Sequence, residues 1–184
     1  MSKFDPSKTA LIALSMTKGI MGNYGSWLTT KGSQAAEAAR AAGIPVLHGI
    51  VQFRPGYPEV VPGSAFAAFK EGKNALEGSG PQVEPHPDIY VEGETIIRKR
   101  RVGAFASTDL DDILKAQGRT HLVLMGVRTT GAIMYTACWA ADSSYGVSVL
   151  SDATSDPNEE AHRILVGSVF GNTLTVEEFS DQIP

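Results

Sequence analysis

The sequence predicts a doubly wound (Rossmann-like) α/β fold: a mostly parallel sheet of five to six strands with helices on both faces. Two observations predict it. Short, nearly all-apolar runs recur along the chain, as expected of strands buried on both faces. Helix-length segments closed by glycine lie between them, and strands alternating with helices pair in parallel through right-handed crossovers. The 184 residues fit one domain, 1–184. A chain of that length buries a sizeable core without disulfides or metal.

The elements follow in order. Residues 9–16 (TALIALSM) form the first buried strand. Residues 27–42 are alanine-rich and stop at Gly43, which reads as a helix. Residues 45–53 (PVLHGIVQF) form a second strand and residues 94–99 (ETIIRK) a short third one. The segment 108–117 is a helix with Thr108 as N-cap, Asp111 and Asp112 in its first turn and Gly118 as its stop. Residues 120–127 (THLVLMGV) are the clearest buried strand. A helix over 131–143 and a strand over 146–150 (GVSVL) come next, and a turn follows. Pro157 then opens a helix reaching about residue 169. A last strand over 172–176 and a short acidic helix complete the chain. The apolar runs near Leu11, Val46, Ile96, Leu122 and Val149 are expected at or near the centre of the sheet. Residues 54–92 are rich in proline and glycine, and a loop that long inside a compact domain is usually functional or part of an oligomer contact.

Composition removes several function classes. The net charge of -4 offers no basic stripe for nucleic acid. The basic run 98–101 would be split between two faces by strand alternation. No segment approaches the ~18 apolar residues a membrane span needs, and the N-terminal stretch lacks the pattern of a signal peptide. A single cysteine, Cys138, fits a reducing compartment, so the expected location is cytoplasmic. No glycine-rich dinucleotide fingerprint follows the first strand, and no cofactor is expected.

In open α/β sheets ligands bind beyond the carboxyl ends of the strands. Those ends present Ser15, Lys99 and the turn 126–131, which feeds a helix starting at about Ala132. Backbone amides at such a helix start suit an anion or a developing oxyanion. Ser15 and Lys99 are therefore the candidate reactive groups, with Arg128, Thr129, Gly131 and Ala132 as the candidate oxyanion or ligand-binding turn. Trp27, Arg54 and Tyr57 are candidate pocket lining, since aromatic and arginine side chains suit small planar or acidic ligands.

Three stretches carry a family resemblance: ALIALSMTKGI, RKRRVGAFASTDLDDILKAQG and LVLMGVRTTGAIMYTACWAADSSYGVSVLSDAT. In order and spacing they resemble the opening strand, the lysine segment and the nucleophile segment of the isochorismatase-like (cysteine hydrolase) family. The resemblance places Lys99 at the family's lysine, Ser15 where an aspartate is usual and Ala132 where a cysteine is usual. It also implies a non-proline cis peptide at about Val127–Arg128, a homo-oligomer, and a small, acidic metabolite as ligand. Cys138 lies six residues beyond Ala132 on the same helix, about 240° around it, and reads as a buried core residue rather than a displaced nucleophile.

Ala132 has no nucleophilic atom, which closes the cysteine route to amide hydrolysis. The vinyl-ether hydrolysis of isochorismatase-type members depends on the aspartate, and a neutral serine hydroxyl only donates or accepts a hydrogen bond. Lys99, lacking that aspartate, is expected to have its pKa lowered by burial. Two functions stay open: a hydrolase-family enzyme with changed chemistry, or a non-catalytic member that binds a ligand or a partner protein. The zinc-binding amidase branch of the family carries an aspartate and two histidines after the second strand. HGIVQFRPGYPE has no such set, so no metal is expected. His162 matches a position often held by histidine in the family and reads as a surface or capping residue. The long segment's Phe66, Phe69 and Leu76 need cover, a second reason to expect oligomers.

Overall fold

The computed structural model describes residues 4–64, 66–71 and 76–184. Six strands form one parallel sheet in the order β3-β2-β1-β4-β5-β6. They are β1 (Thr9–Leu14), β2 (Val46–Val51), β3 (Thr95–Lys99), β4 (His121–Val127), β5 (Gly146–Ser155) and β6 (Thr173–Leu174). The helices are α1 (Lys18–Met21), α2 (Ser26–Ala41), α3 (Ala67–Glu71), α4 (Leu110–Ala116), α5 (Met134–Asp142), α6 (Glu159–Ile164) and α7 (Val176–Gln182). A π-helical turn, Thr129–Ile133, precedes α5, and a second, Leu165–Val169, follows α6.

Strand alternation sorts the core into two layers. Leu11, Ala13, Val123, Met125 and Val127 face one way, against Leu28, Ala35, Ala36 and Ala39 of α2 and Phe179 of α7. Ala10, Ile12, Leu14, Leu122 and Leu124 face the other way, against Leu110 and Leu114 of α4 and Ala137 and Ala140 of α5. The alanine-rich face of α2 has little side-chain bulk, which suits a helix lying close on the sheet.

Several expectations need correction. β3 is an edge strand, so Ile96 is not near the centre. Its own pattern shows why, since Ile97 and Lys99 are buried while Arg98 between them is exposed. β5 does not turn after Leu150 but runs to Ser155, through a register shift against β4 between Leu124 and Gly126. Its polar second half keeps Ala153 and Thr154 fully buried, and Asp152 accepts the Val176 N–H. Thr108 lies one residue before the cap position of α4, held by Asp109. Its hydroxyl donates to the Ala104 carbonyl and accepts from Leu110 N–H at 3.3 Å. Cys138 is exposed, not core, because α5 buries Ala137 and Ala140 instead.

The described residues of the segment 54–92 fold back over the ends of β2 and β3. Phe53 N–H donates to the Leu76 carbonyl, and Gln52 Nε2 donates to the Gly78 carbonyl. A small core of Val51, Phe53, Tyr57, Leu76 and Val83 results. Leu76 is buried there, and the Phe66 ring stands 6.0 Å from that of Phe53. Those two residues are thus covered within the chain and supply no reason for oligomers; the side chain of Phe69 lies outside the described residues.

Candidate functional site

The site is built where β1, β2 and β4 end side by side. Ser15 follows β1 directly, is buried, and has a left-handed backbone with φ 58°. That conformation is uncommon for a residue with a side chain and marks a position held by its surroundings. Its N–H donates to the Gly49 carbonyl at 2.7 Å. On the other side stands Gly126, with φ 120°. A Cβ there would sit 2.1 Å from the Leu14 carbonyl oxygen, so only glycine permits this approach of β4 to β1.

The turn after β4 follows. The peptide Val127–Arg128 is cis, as the resemblance implied. The carbonyl of Arg128 accepts from the N–H groups of Gly131 and Ile133, each at 3.1 Å. The Gly131 amide, expected to face a ligand, is therefore used inside the turn. Asp156, just past β5, accepts from the N–H and the hydroxyl of Thr130 at 2.9 and 2.6 Å and from Asn158 N–H at 3.0 Å. Burial pushes its carboxyl up, but the Thr130 and Asn158 hydrogen bonds and the Arg128 charge outweigh that and hold it below the usual value. The guanidinium of Arg128 lies beside the Tyr24 hydroxyl as well as Asp156. Its cation thus braces the turn. Thr129 is fully buried, hydrogen-bonded to Nδ1 of His162 at 2.8 Å. Burial lowers the His162 pKa, and Asp156 opposes that effect. Ala132 is buried at the start of the helical run.

Lys99 ends β3, paired with Val51 of β2, and is 1% exposed. Among the described residues its ammonium has one hydrogen bond, to the Val102 carbonyl at 3.3 Å. No carboxylate offsets its desolvation, and burial alone pushes its pKa down to about 7. Val102 links this lysine to the turn, since a Cβ on Gly131 would lie 3.8 Å from Val102 Cγ1. The residues beside Lys99 are tied to the long segment. Arg100 pairs with Glu59 at 2.9 Å, and Gln52 N–H donates to the Lys99 carbonyl. Ser15 Oγ and Lys99 Nζ share no hydrogen bond among the described residues. Two fully buried hydroxyls beside this rim lack a hydrogen-bond partner among the described residues: Thr17, and Thr154 opposite Gly126 in the strand register.

The structure brings Ser15, Lys99 and the 128–132 turn to one end of the sheet. The expected lining residues have their described interactions elsewhere. Trp27 is 51% exposed at the start of α2. Tyr57 packs on Phe53, and its hydroxyl accepts from Leu76 N–H. Arg54 is exposed and approaches Glu59 at 3.6 Å, which connects it to Arg100 only indirectly. Sequence reasoning missed Tyr24, Thr130 and Asp156, and gave His162 a surface role although it bonds the turn directly. The signal for Asp156 was weak: an aspartate two residues before Asn158, itself the cap of α6. His48 is engaged elsewhere, its Nε2 2.8 Å from Glu94, which also pairs with Arg40. Among the described residues no group of three or more His, Cys, Asp or Glu side chains is placed to hold a metal ion.

The isochorismatase domain model matches residues 9–178. The chain belongs to the isochorismatase family. An uncharacterized isochorismatase family protein of Bacillus subtilis is 33% identical over 133 residues, covering 63% of this chain and 70% of that protein. A secreted isochorismatase effector of Verticillium dahliae is 26% identical over 157 residues, covering 80% of this chain and 75% of the effector. Among solved structures, a cysteine hydrolase from Pseudomonas syringae pv. phaseolicola superposes with a TM-score of 0.89. That match is 21% identical, covers 100% of this chain and 95% of the other, and shows the shared fold. The protein therefore has an isochorismatase-family hydrolase fold, and no helix among its described residues is long and apolar enough to cross a membrane.

Proposed function

We propose that this isochorismatase-family protein binds or acts on a small acidic or carbonyl-bearing metabolite between Ser15, Lys99 and the 128–132 turn, without a cysteine nucleophile. The observation that carries the reading is Lys99: a fully buried amine at a strand end with no counter-ion among the described residues. An isolated buried cation is costly, and such groups are kept where function uses them. A carboxylate ligand would supply the missing charge, with Ser15 Oγ as a neutral donor beside it. Ala132 leaves no thiol at the helix start. Arg128, Thr129 and Gly131 shape the turn, and the reading assigns the Ala132 N–H at the start of the helical run as the donor to the ligand.

The lack of a hydrogen bond between Ser15 and Lys99 supports the alternative, a non-catalytic member that binds a ligand or a partner protein on the same scaffold. Titration calorimetry with a panel of small carboxylates tests the shared part of both readings. Lys99→Ala should abolish binding of any carboxylate that the native protein takes, and Ser15→Ala should weaken it less, by ~0.5–1.5 kcal/mol. Unchanged affinity in Lys99→Ala overturns the site. Gain of amide hydrolysis in the double variant Ser15→Asp/Ala132→Cys would show the rest of the catalytic frame intact. The same reading treats 1–184 as one domain acting in the cytoplasm as a homo-oligomer. The exposed Trp27, Tyr135, Trp139, Ile164 and Val169 support an assembly, and light scattering at a mass near 19.5 kDa would refute it.

A further inference from the structure

We infer that Lys99 captures carbonyl compounds covalently: its amine forms an imine with an aldehyde or an α-keto acid held at the ends of β1, β3 and β4. The inference rests on the pocket proposed above and adds a reaction to it.

The described lysines differ sharply in surroundings. Lys18, Lys31 and Lys115 lie at the surface opposite Glu84, Asp152 and Asp111. Asp152 and Asp111 favour the protonated forms of Lys31 and Lys115, which have no lone pair to offer. Lys99 has the opposite environment. It is buried and, among the described residues, faces no carboxylate and finds one acceptor, the Val102 carbonyl. An ammonium has three N–H donors to satisfy, and two would go unmet here. A neutral amine keeps the Val102 bond, loses one donor, and leaves its lone pair free. Burial brings its pKa to about 7, so roughly half of the molecules carry a neutral amine at pH 7. Ala132 places no competing nucleophile at the neighbouring helix start, and Val102 joins the amine to that turn.

The step balances without an oxidant or reductant. The nitrogen lone pair attacks the carbonyl carbon, and the C=O π electrons move to oxygen. One amine proton passes to that oxygen, giving a carbinolamine. The C–O bond then breaks, the second amine proton leaves with the hydroxyl as water, and C=N remains. Ser15 Oγ and the Ala132 amide lie on the same rim as hydrogen-bond donors for the carbonyl oxygen.

Reductive trapping tests this. The native protein is incubated with pyruvate, glyoxylate or benzaldehyde and sodium cyanoborohydride, and adducts are located by peptide mass spectrometry. At least one probe should label Lys99 about tenfold or more faster than Lys115, because a far larger fraction of Lys99 is neutral at pH 7. Labelling of Lys99 in the unmutated chain should rise with pH through a midpoint near 7. Lys99→Met, with its fold checked by thermal melting, should lose the fast adduct. No adduct on Lys99 with any of the three probes overturns the inference, as does a rate flat between pH 6 and 8. Calorimetry of the same probes without reductant separates the two readings. Binding that Lys99→Met abolishes, with no adduct in the native protein, leaves the pocket standing and removes the imine. Neither binding nor adduct removes both.

Discussion

Replacing Lys99 by methionine should stabilise the protein, and the gain should depend on pH in a defined direction. Burial moves the folded-state pKa of Lys99 from 10.5 to about 7, whereas the unfolded chain keeps the ordinary value. Between those values the unfolded state binds a proton that the folded state does not, so stability rises with pH across that window. The cost of burying the amine is thus fully present below pH 7 and fades as the pH approaches 10.5. At 1.36 kcal/mol per pH unit it is roughly 4 kcal/mol at pH 7 and roughly 2 kcal/mol at pH 9. Methionine has similar length and no charge, and the substitution strands only the Val102 carbonyl, at a cost of ~1 kcal/mol. Lys99→Met should therefore be more stable than the native protein by about 2–3 kcal/mol at pH 7, with the gap shrinking by roughly 2 kcal/mol by pH 9. For a chain of this size that is a narrowing of roughly 4–8 °C in melting temperature. Melts followed by circular dichroism at pH 6, 7, 8 and 9 would measure it. A gap that stays constant across that range, or a native protein more stable than the variant at pH 6, would refute the assignment of Lys99 as an unpaired buried amine.

Other outcomes follow from the same rim. Gly126→Ala should give no soluble folded protein, because its Cβ would overlap the Leu14 carbonyl at a φ of 120°; a soluble variant with a native-like melt would contradict that packing. Asp156→Asn should cost about 2–4 kcal/mol in urea unfolding, since it weakens three hydrogen bonds to a charged acceptor. The Asp156 carboxyl is held below its ordinary value, so its contribution is present above pH ~4 and lost as the pH falls through the folded-state value. The variant should accordingly lose less stability on acidification than the native protein, as acid titration followed by fluorescence would show. Iodoacetamide should label Cys138 in the folded state, as the thiol is exposed, without changing carboxylate binding. Loss of binding on labelling would put Cys138 at the site after all.

The parts of the protein written locally were legible from the chain. Residues 9–14, 46–51, 121–127 and the first half of β5 are apolar and β-rich, and nothing but a buried strand suits them. That Ser15 and Lys99 stand at the ends of strands was legible in the same way. Edge and centre were not legible. β3 carries a short half-buried pattern that reads the same until its neighbours are counted. Cys138 misled because α5 is apolar on much of its surface, which hides its buried side from a one-dimensional reading. The side-chain direction of Arg128 was likewise open, since a cation at a strand end serves a ligand or an internal carboxylate equally well.

Sequence by itself determined the alternation of strands and helices and the family frame. Those features reside in single residues and in short-range periodicity. Only the tertiary structure decided that Lys99 lacks a counter-ion among the described residues, that Asp156 and His162 hold the 128–132 turn, and that Tyr57, Leu76 and Val83 pack on the end of β2. Each of those depends on groups far apart in the chain meeting in space. Burial and charge pairing are properties of the neighbourhood, and a parallel sheet assembles each neighbourhood from distant segments.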